Sequence, residues 1–216
     1  MIQNIKSTIC LAGKNEIAVY GLHLLLQNVN KNKLKVICNS NDLGFDTWQP
    51  SLLKAARENN VKVITIEDCY NINDLIFLSL EFDKIISPRK FKKAKLYNIH
   101  FSLLPAYKGM YTSSIPLLKG ELESGVTLHN IDSGIDTGDI IDQISFPIEI
   151  EDTAKKLYNN YLIHSKKLLK RNFHNLIKGN LVSKAQESHG SSYYSSKAID
   201  FKNLSVNLKA SADQIR

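Results

Sequence analysis

Three side chains in this 216-residue sequence have the types and spacing of a reaction centre: Asn98, His100 and Asp136. Asn98 and His100 lie two apart in Tyr97-Asn-Ile-His-Phe-Ser-Leu-Leu-Pro105, a run that reads as a strand, so their side chains share a face and can meet one target. Pro105 and Gly109 turn the chain away soon afterwards, which puts the pair near the strand's carboxyl end, where open α/β sheets gather ligands. Asp136 stands between Gly134 and Gly138, residue types that allow close backbone approach or positive φ. An amide can donate to a developing oxyanion, and an imidazole can donate when protonated or act as base when neutral. A carboxylate can orient that imidazole, hold a water or take the proton itself. Taken singly, Asn-x-His reads as a loop tie and Asp as a turn residue; the three together favour chemistry.

The surrounding elements read as an alternation of strands and helices. Ile5 to Ala12 is a strand that ends in Gly13-Lys14-Asn15, and Glu16 to Val29 has helical spacing at Ile17, Val19, Leu22, Leu24, Leu25 and Leu26. A strand at Val36-Ile37-Cys38, a helix over Ser51 to Arg57, and strands over Val61 to Ile66, Leu75 to Leu80 and Lys95 to Phe101 follow. This order predicts an α/β, Rossmann-like, mostly parallel sheet with helices on both faces. A short helix from Ile115 to Lys119, strands over Gly125 to Ile131 and Ile140 to Ile148, and a long helix from an Asp152 cap to Gly179 complete a domain of residues 1–179. His129 reads as a partly buried strand histidine. Residues 180–216 shift toward Ser, Tyr and Asn and read as a β-rich or helical appendage with a helical pattern at the end. The first turn has Gly13 alone, without Gly-x-Gly-x-x-Gly or an acidic residue closing the second strand, which excludes NAD.

Asn98-Ile-His100, Ser102-Leu-Leu-Pro105 and Gly134-Ile-Asp136-Thr-Gly138-Asp139 together resemble the signature of the formyltransferases that use 10-formyltetrahydrofolate. That family includes glycinamide ribonucleotide transformylase, methionyl-tRNA formyltransferase and the nucleotide-sugar N-formyltransferases. The resemblance runs from about Leu75 to Tyr161, and Tyr193 and Tyr194 followed by Ile199-Asp-Phe201 resemble the segment after the catalytic domain of the tRNA and sugar enzymes, which implies a β-hairpin or dimer contact there. It implies 10-formyltetrahydrofolate as co-substrate, no metal, and Asn98, His100 and Asp136 as the catalytic trio. Asn98 would hold the oxyanion, and His100 with Asp136 in support, or the reverse, would take the amine's proton. Phe82, Ile85, Ile86 and Asp139 are implied at the folate, and Lys84, Tyr107, Met110, Tyr111 and Thr112 at the acceptor.

Composition narrows the rest. With 43% hydrophobic and 23% charged residues the chain can bury a core. The formal charge of +7, from 28 Lys and Arg against 21 Asp and Glu, would suit a nucleotide, a polyglutamylated folate or RNA. The lysines are scattered and lack the aromatic interleaving of a strand-binding surface, so no nucleic-acid partner is expected. Cys10, Cys38 and Cys69 have neither disulfide-framework nor zinc spacing, and no apolar run reaches membrane length, so the expectation is a cytoplasmic protein with no membrane partner. The tRNA enzymes carry an additional carboxyl-terminal RNA-binding domain that these residues do not match, and the purine enzymes a phosphate loop that Gly13-Lys14-Asn15 does not match. The reading that remains is formyl transfer to a nucleotide-linked amino sugar, expected to be a dTDP-4-amino-4,6-dideoxyhexose, by a homodimer serving surface polysaccharide. Purine transformylation and a non-catalytic folate-binding module are the alternatives.

Overall fold

In a computed structural model the chain is described over residues 5–202 and at 209. Seven strands form one sheet in the order β3-β2-β1-β4-β5-β7-β8. The parallel part holds β1 (Thr8–Gly13), β2 (Leu34–Cys38), β3 (Lys62–Val63), β4 (Leu75–Leu80) and β5 (Ala94–His100). Two antiparallel strands, β7 (Glu123–Asn130) and β8 (Ile140–Pro147), extend it beyond β5. β6 (Lys108–Gly109) and β9 (Tyr193–Tyr194) form a separate parallel pair. The expected α/β class, mostly parallel with helices on both faces, is therefore the observed one.

Side-chain alternation explains the layering. Along β1, Ile9 and Leu11 face the larger core with α1 (Asn15–Asn28), α2 (Leu52–Glu58) and the long α5 (Ala154–Lys178), whereas Cys10 and Ala12 face a smaller core with Ile66 and Cys69 of α3 (Ile66–Tyr70). β4 is buried at all six positions, as a central parallel strand must be. α4 (Ile115–Leu118) is a single turn started by Pro116. α5 ends at Gly179 with φ 63°, the left-handed cap that glycine accommodates.

Three local readings change. Thr153, not Asp152, caps α5: its side chain accepts from the Lys156 amide, while Asp152 pairs with Lys156 at 2.6 Å. The β-branched run at Val61 to Ile66 yields only two strand residues, because Thr65 and Asp68 form a reciprocal capping box that starts α3 at Ile66. Tyr193 and Tyr194 pair with β6 of the same chain in parallel, not in a hairpin. The helical pattern read at the end of the sequence lies outside the described residues.

Candidate active site

β5 carries the first two groups. The antiparallel register of β5 and β7 sets Asn98 opposite His129, so a third polar side chain joins the pair. The β7–β8 connection then delivers Asp136, whose φ of 54° is left-handed. Gly138 makes this connection possible, since a Cβ there would stand 1.9 Å from the Asn130 carbonyl oxygen.

The partners fix the tautomers. His129 Nδ1 lies 2.7 Å from the Asn130 carbonyl oxygen, which only accepts, so Nδ1 donates and Nε2 is left to accept from Asn98 Nδ2 at 3.1 Å. His100 Nε2 likewise donates to the Tyr107 carbonyl at 2.8 Å. The free nitrogen of His100, Nδ1, faces Asp136 Oδ2 at 3.5 Å, and Asp136 Oδ1 stands 3.5 Å from Asn98 Nδ2 and 3.6 Å from His129 Nε2. These separations exceed a good hydrogen bond. They leave an amide hydrogen of Asn98 and the Nδ1 of His100 both facing the Asp136 carboxylate.

Electrostatics agree with that division. Burial lowers the pKa of His100 and outweighs the upward pull of Asp136, so the ring is a neutral base near neutral pH. Burial alone would raise the Asp136 pKa; the neighbouring His100 and His129 rings, which favour the carboxylate when they carry a proton toward it, and the Gly109 amide, which donates at 2.9 Å, together outweigh it and hold the carboxyl at about 2. Asp136 is thus an anion that can stabilise an imidazolium or the positive charge that develops on an attacking amine, and His100 is the stronger base.

The segment after Gly179 braces both loops. Gln186 Nε2 donates to the Asp136 carbonyl at 2.8 Å and to that of Gly138 at 2.7 Å, and Lys184 exchanges two 2.8 Å backbone bonds with Ile140. On the other side, Ser192 Oγ accepts from the Tyr107 amide at 2.8 Å, and the β6–β9 pair continues from there. Gly109 allows this close pass: a Cβ on it would meet the Tyr194 carbonyl oxygen at 2.2 Å. His129 and Gln186 were not among the sequence-derived site residues. The antiparallel partner of Asn98 was the available signal for His129; Gln186 is separated by 50 positions from Asp136 and gave none.

A cavity of about 700 Å³ opens at this centre. Asn98, His100 and Asp136 line it, with Phe82, Ile85 and Ile86 on an apolar side and Lys84, Met110 and Thr112 elsewhere on its wall. Ile131 and Ile135 add apolar surface and Asp132 a polar edge, a combination that suits a flat ring with polar substituents. Three expected residues are absent from the wall. Tyr107 stacks on Tyr194 at 5.5 Å and bonds Glu121, Tyr111 packs on Phe201 and donates to the Ser196 carbonyl, and Asp139 is exposed. Tyr107 serves instead through its backbone, which holds His100. Among the described residues no group of three or more His, Cys, Asp or Glu could hold a metal ion, and no helix is long and apolar enough to cross a membrane.

The profile of the formyl transferase family matches residues 16–172, a span that contains the whole centre. The chain belongs to that family. Two solved structures lie near this formyltransferase. The N-formyltransferase of Helicobacter canadensis, in complex with folinic acid and dTDP-3-aminofucose, is 48% identical with a TM-score of 0.93, over 97% of this chain and 78% of that one. WlaRD, a sugar 3N-formyl transferase solved with dTDP and 5-N-formyl-THF, is also 48% identical with a TM-score of 0.93, over 98% and 77%. A methionyl-tRNA formyltransferase of Synechococcus is 32% identical over 69% of this chain, and the chain spans 45% of its length. Glycinamide ribonucleotide transformylase 1 of Symbiobacterium toebii shares the fold, at 19% identity and a TM-score of 0.65 over 85% of this chain and 94% of that one.

Proposed function

We propose that this formyltransferase moves a formyl group from 10-formyltetrahydrofolate to the amine of a dTDP-linked amino sugar. The observation that carries the reading is the coincidence of the Asn98, His100 and Asp136 constellation with 48% identity, over nearly the whole chain, to two enzymes solved with dTDP ligands and formylated folates. Both relatives are described with 3-amino or 3N chemistry, so the acceptor we propose is a 3-amino-3,6-dideoxyhexose in place of the 4-amino sugar expected from the sequence.

The folate supplies an activated formyl carbon. His100 Nδ1 takes the proton of the attacking amine, and Asp136, anionic throughout, balances the imidazolium so formed. Asn98 Nδ2 donates to the oxygen that becomes negative in the tetrahedral intermediate, while His129 Nε2 holds the other amide hydrogen and fixes the direction of that donor. His100 then returns the proton toward the departing nitrogen, which closes the cycle. Phe82, Ile85 and Ile86 support the pterin side of this reading, and Lys84, Met110 and Thr112 the acceptor side.

The product would enter surface polysaccharide, where formamido sugars are used, and the enzyme would work in the cytoplasm as a homodimer. The test is release of tetrahydrofolate from 10-formyltetrahydrofolate with a panel of dTDP-3-amino, dTDP-4-amino, UDP- and GDP-linked sugars and glycinamide ribonucleotide. Turnover is expected with a dTDP-amino sugar. Turnover with glycinamide ribonucleotide alone would replace the reading with purine synthesis, and folate binding without turnover on any acceptor would replace it with a binding module.

A further inference from the structure

The cations of this chain are densest in one stretch. Between Ser87 and Lys95 stand Arg89, Lys90, Lys92, Lys93 and Lys95, with no acidic residue among them. Two of these are engaged: Lys93 pairs with Asp74 at 2.5 Å, and Lys95 donates to the Gly179 carbonyl. Arg89, Lys90 and Lys92 are exposed and take part in none of the ion pairs among the described residues. Asp83, the nearest acid before the run, is turned toward Ser40, whose amide and hydroxyl it meets at 3.4 Å. Like charges crowded together without counterions raise the local potential, so such a stretch attracts a polyanion.

The backbone that carries these cations is held in place. Pro88–Lys90 is a 3₁₀ turn in which the Lys90 amide donates to the Ser87 carbonyl and the Phe91 amide to the Pro88 carbonyl, each at 3.1 Å. The Phe91 ring meets Tyr70 at 5.1 Å and Phe77 at 5.7 Å, both edge-on, and the Lys92 amide donates to the Tyr70 carbonyl at 2.9 Å. Lys90 Nζ lies 5.5 Å from the centre of the Tyr70 ring. A ligand has only the side-chain tips left to order. This ridge also continues the folate-side wall of the cavity. Ile86 is buried in that wall, Ile85 is 77% exposed at its lip, and Arg89 follows Ile86 by three residues, so the α-carbons of Ile86 and Arg89 are at most about 11 Å apart. A ligand with a flat ring against Phe82 and Ile86 and an anionic chain at its other end meets the ridge where it leaves the cavity.

We propose that Arg89, Lys90 and Lys92 bind the poly-γ-glutamate tail of the folate, so that the enzyme takes polyglutamylated 10-formyltetrahydrofolate in preference to the monoglutamate. This rests on the reading of folate as the formyl donor. Each γ-linked glutamate beyond the first adds one carboxylate, and a short tail presents them in a row that matches a ridge of unpaired cations. A nucleic acid would match the charge too, but Phe91 and Tyr70 are half-buried and packed on each other, which leaves bases no ring to stack on. The tail is remote from the formyl carbon and contributes equally to the ground and transition states. It therefore lowers KM for the folate and leaves kcat unchanged.

Calorimetry on the full chain compares folinic acid, a monoglutamate, with its tetra-γ-glutamate. The proteins are wild type, the ridge variant Arg89→Gln/Lys90→Gln/Lys92→Gln, and a control, Lys155→Gln/Lys167→Gln/Lys170→Gln, which removes the same charge from exposed positions of α5 on the opposite face of the sheet. Wild type and the α5 variant are expected to bind the tetraglutamate about tenfold more tightly than the monoglutamate, the product of two or three exposed ion pairs, with the gain shrinking as salt is raised. The ridge variant is expected to lose that gain and to keep the wild-type affinity for the monoglutamate. Equal affinity of wild type for the two folates overturns the proposal. So does a gain that survives in the ridge variant or disappears equally in the α5 variant, a ridge variant that loses the monoglutamate, or a uridine oligonucleotide that binds the ridge more tightly than the tetraglutamate does. No binding of either folate removes the reading of the donor and this proposal with it. Folate binding and turnover without a tail effect leave the reaction standing and remove the tail site alone.

Discussion

Two half-buried carboxylates line one cavity and are pushed in opposite directions. Glu81, just past β4, is raised to about 6, while Asp136, between β7 and β8, is lowered to about 2. Burial raises both; the difference lies in what stands beside them. Glu81 receives neutral donors, Tyr158 OH at 3.0 Å from each oxygen and Asn15 Nδ2 at 3.3 Å, and these do not offset its desolvation. Asp136 has two imidazoles and a backbone amide. The cavity thus carries one carboxyl that gives up its proton reluctantly and one that stays anionic, so position alone assigns the charge to the side of His100 and Asn98.

The largest expected effect comes from the base. His100→Ala should lower kcat by about 10²- to 10⁴-fold in the tetrahydrofolate-release assay with the circular dichroism spectrum unchanged; retained turnover would remove His100 from that role. Asn98→Ala should cost about 10²- to 10³-fold through loss of the oxyanion donor, with folinic acid affinity nearly kept. Asp136→Asn should also impair turnover, and its finer signature is in pH. Without the anion, the His100 pKa falls further, so the acid limb of kcat/KM in the residual activity should move to lower pH.

Stability distinguishes the two carboxyls by sign. A pKa held below its unfolded value means that Asp136 contributes stability above pH about 4, and this is lost as pH falls toward 2. For Glu81, whose pKa is raised, the folded state favours the proton; the associated stability is present below about 4.5 and lost as pH rises through 6. Glu81→Gln should therefore stabilise the protein by about 2 kcal/mol in urea at pH 8, with the gain vanishing near pH 4. The smallest predicted change is in Gln186→Ala, where turnover should fall by about tenfold as the Asp136 loop loosens, with Gln186→Glu failing to rescue because the amide donor is gone.

Period-two spacing made the Asn98–His100 pair legible, and the glycines around Asp136 announced its loop. The parallel half of the sheet was equally plain, since β1, β4 and β5 are fully or largely buried runs between turn residues. His129 is the buried strand histidine that the sequence suggested, and its further meaning depends on which residue lies across the strand pair. A histidine opposite a leucine would be core; opposite Asn98 it aims an amide. Tyr107 was chosen for its ring and hydroxyl, and the useful atom is its carbonyl oxygen, which every residue type possesses. Val61 to Ile66 failed as a strand because a capping box at Thr65 outweighed β-branched propensity.

The two-residue β6–β9 pair has a consequence for anyone who trims the gene. Ser192 and Tyr194 receive amide bonds from Tyr107, Lys108 and Met110, and Tyr107 in turn holds His100. A chain cut at Gly179, where the long helix stops and a domain boundary would ordinarily be drawn, would keep every strand of the main sheet along with Asn98, His100 and Asp136. It would fold around a reaction centre with its outer fastening removed. A working unit is therefore expected to extend beyond α5, at least through Tyr194, and a chain cut at Gly179 should lose turnover while keeping its circular dichroism spectrum.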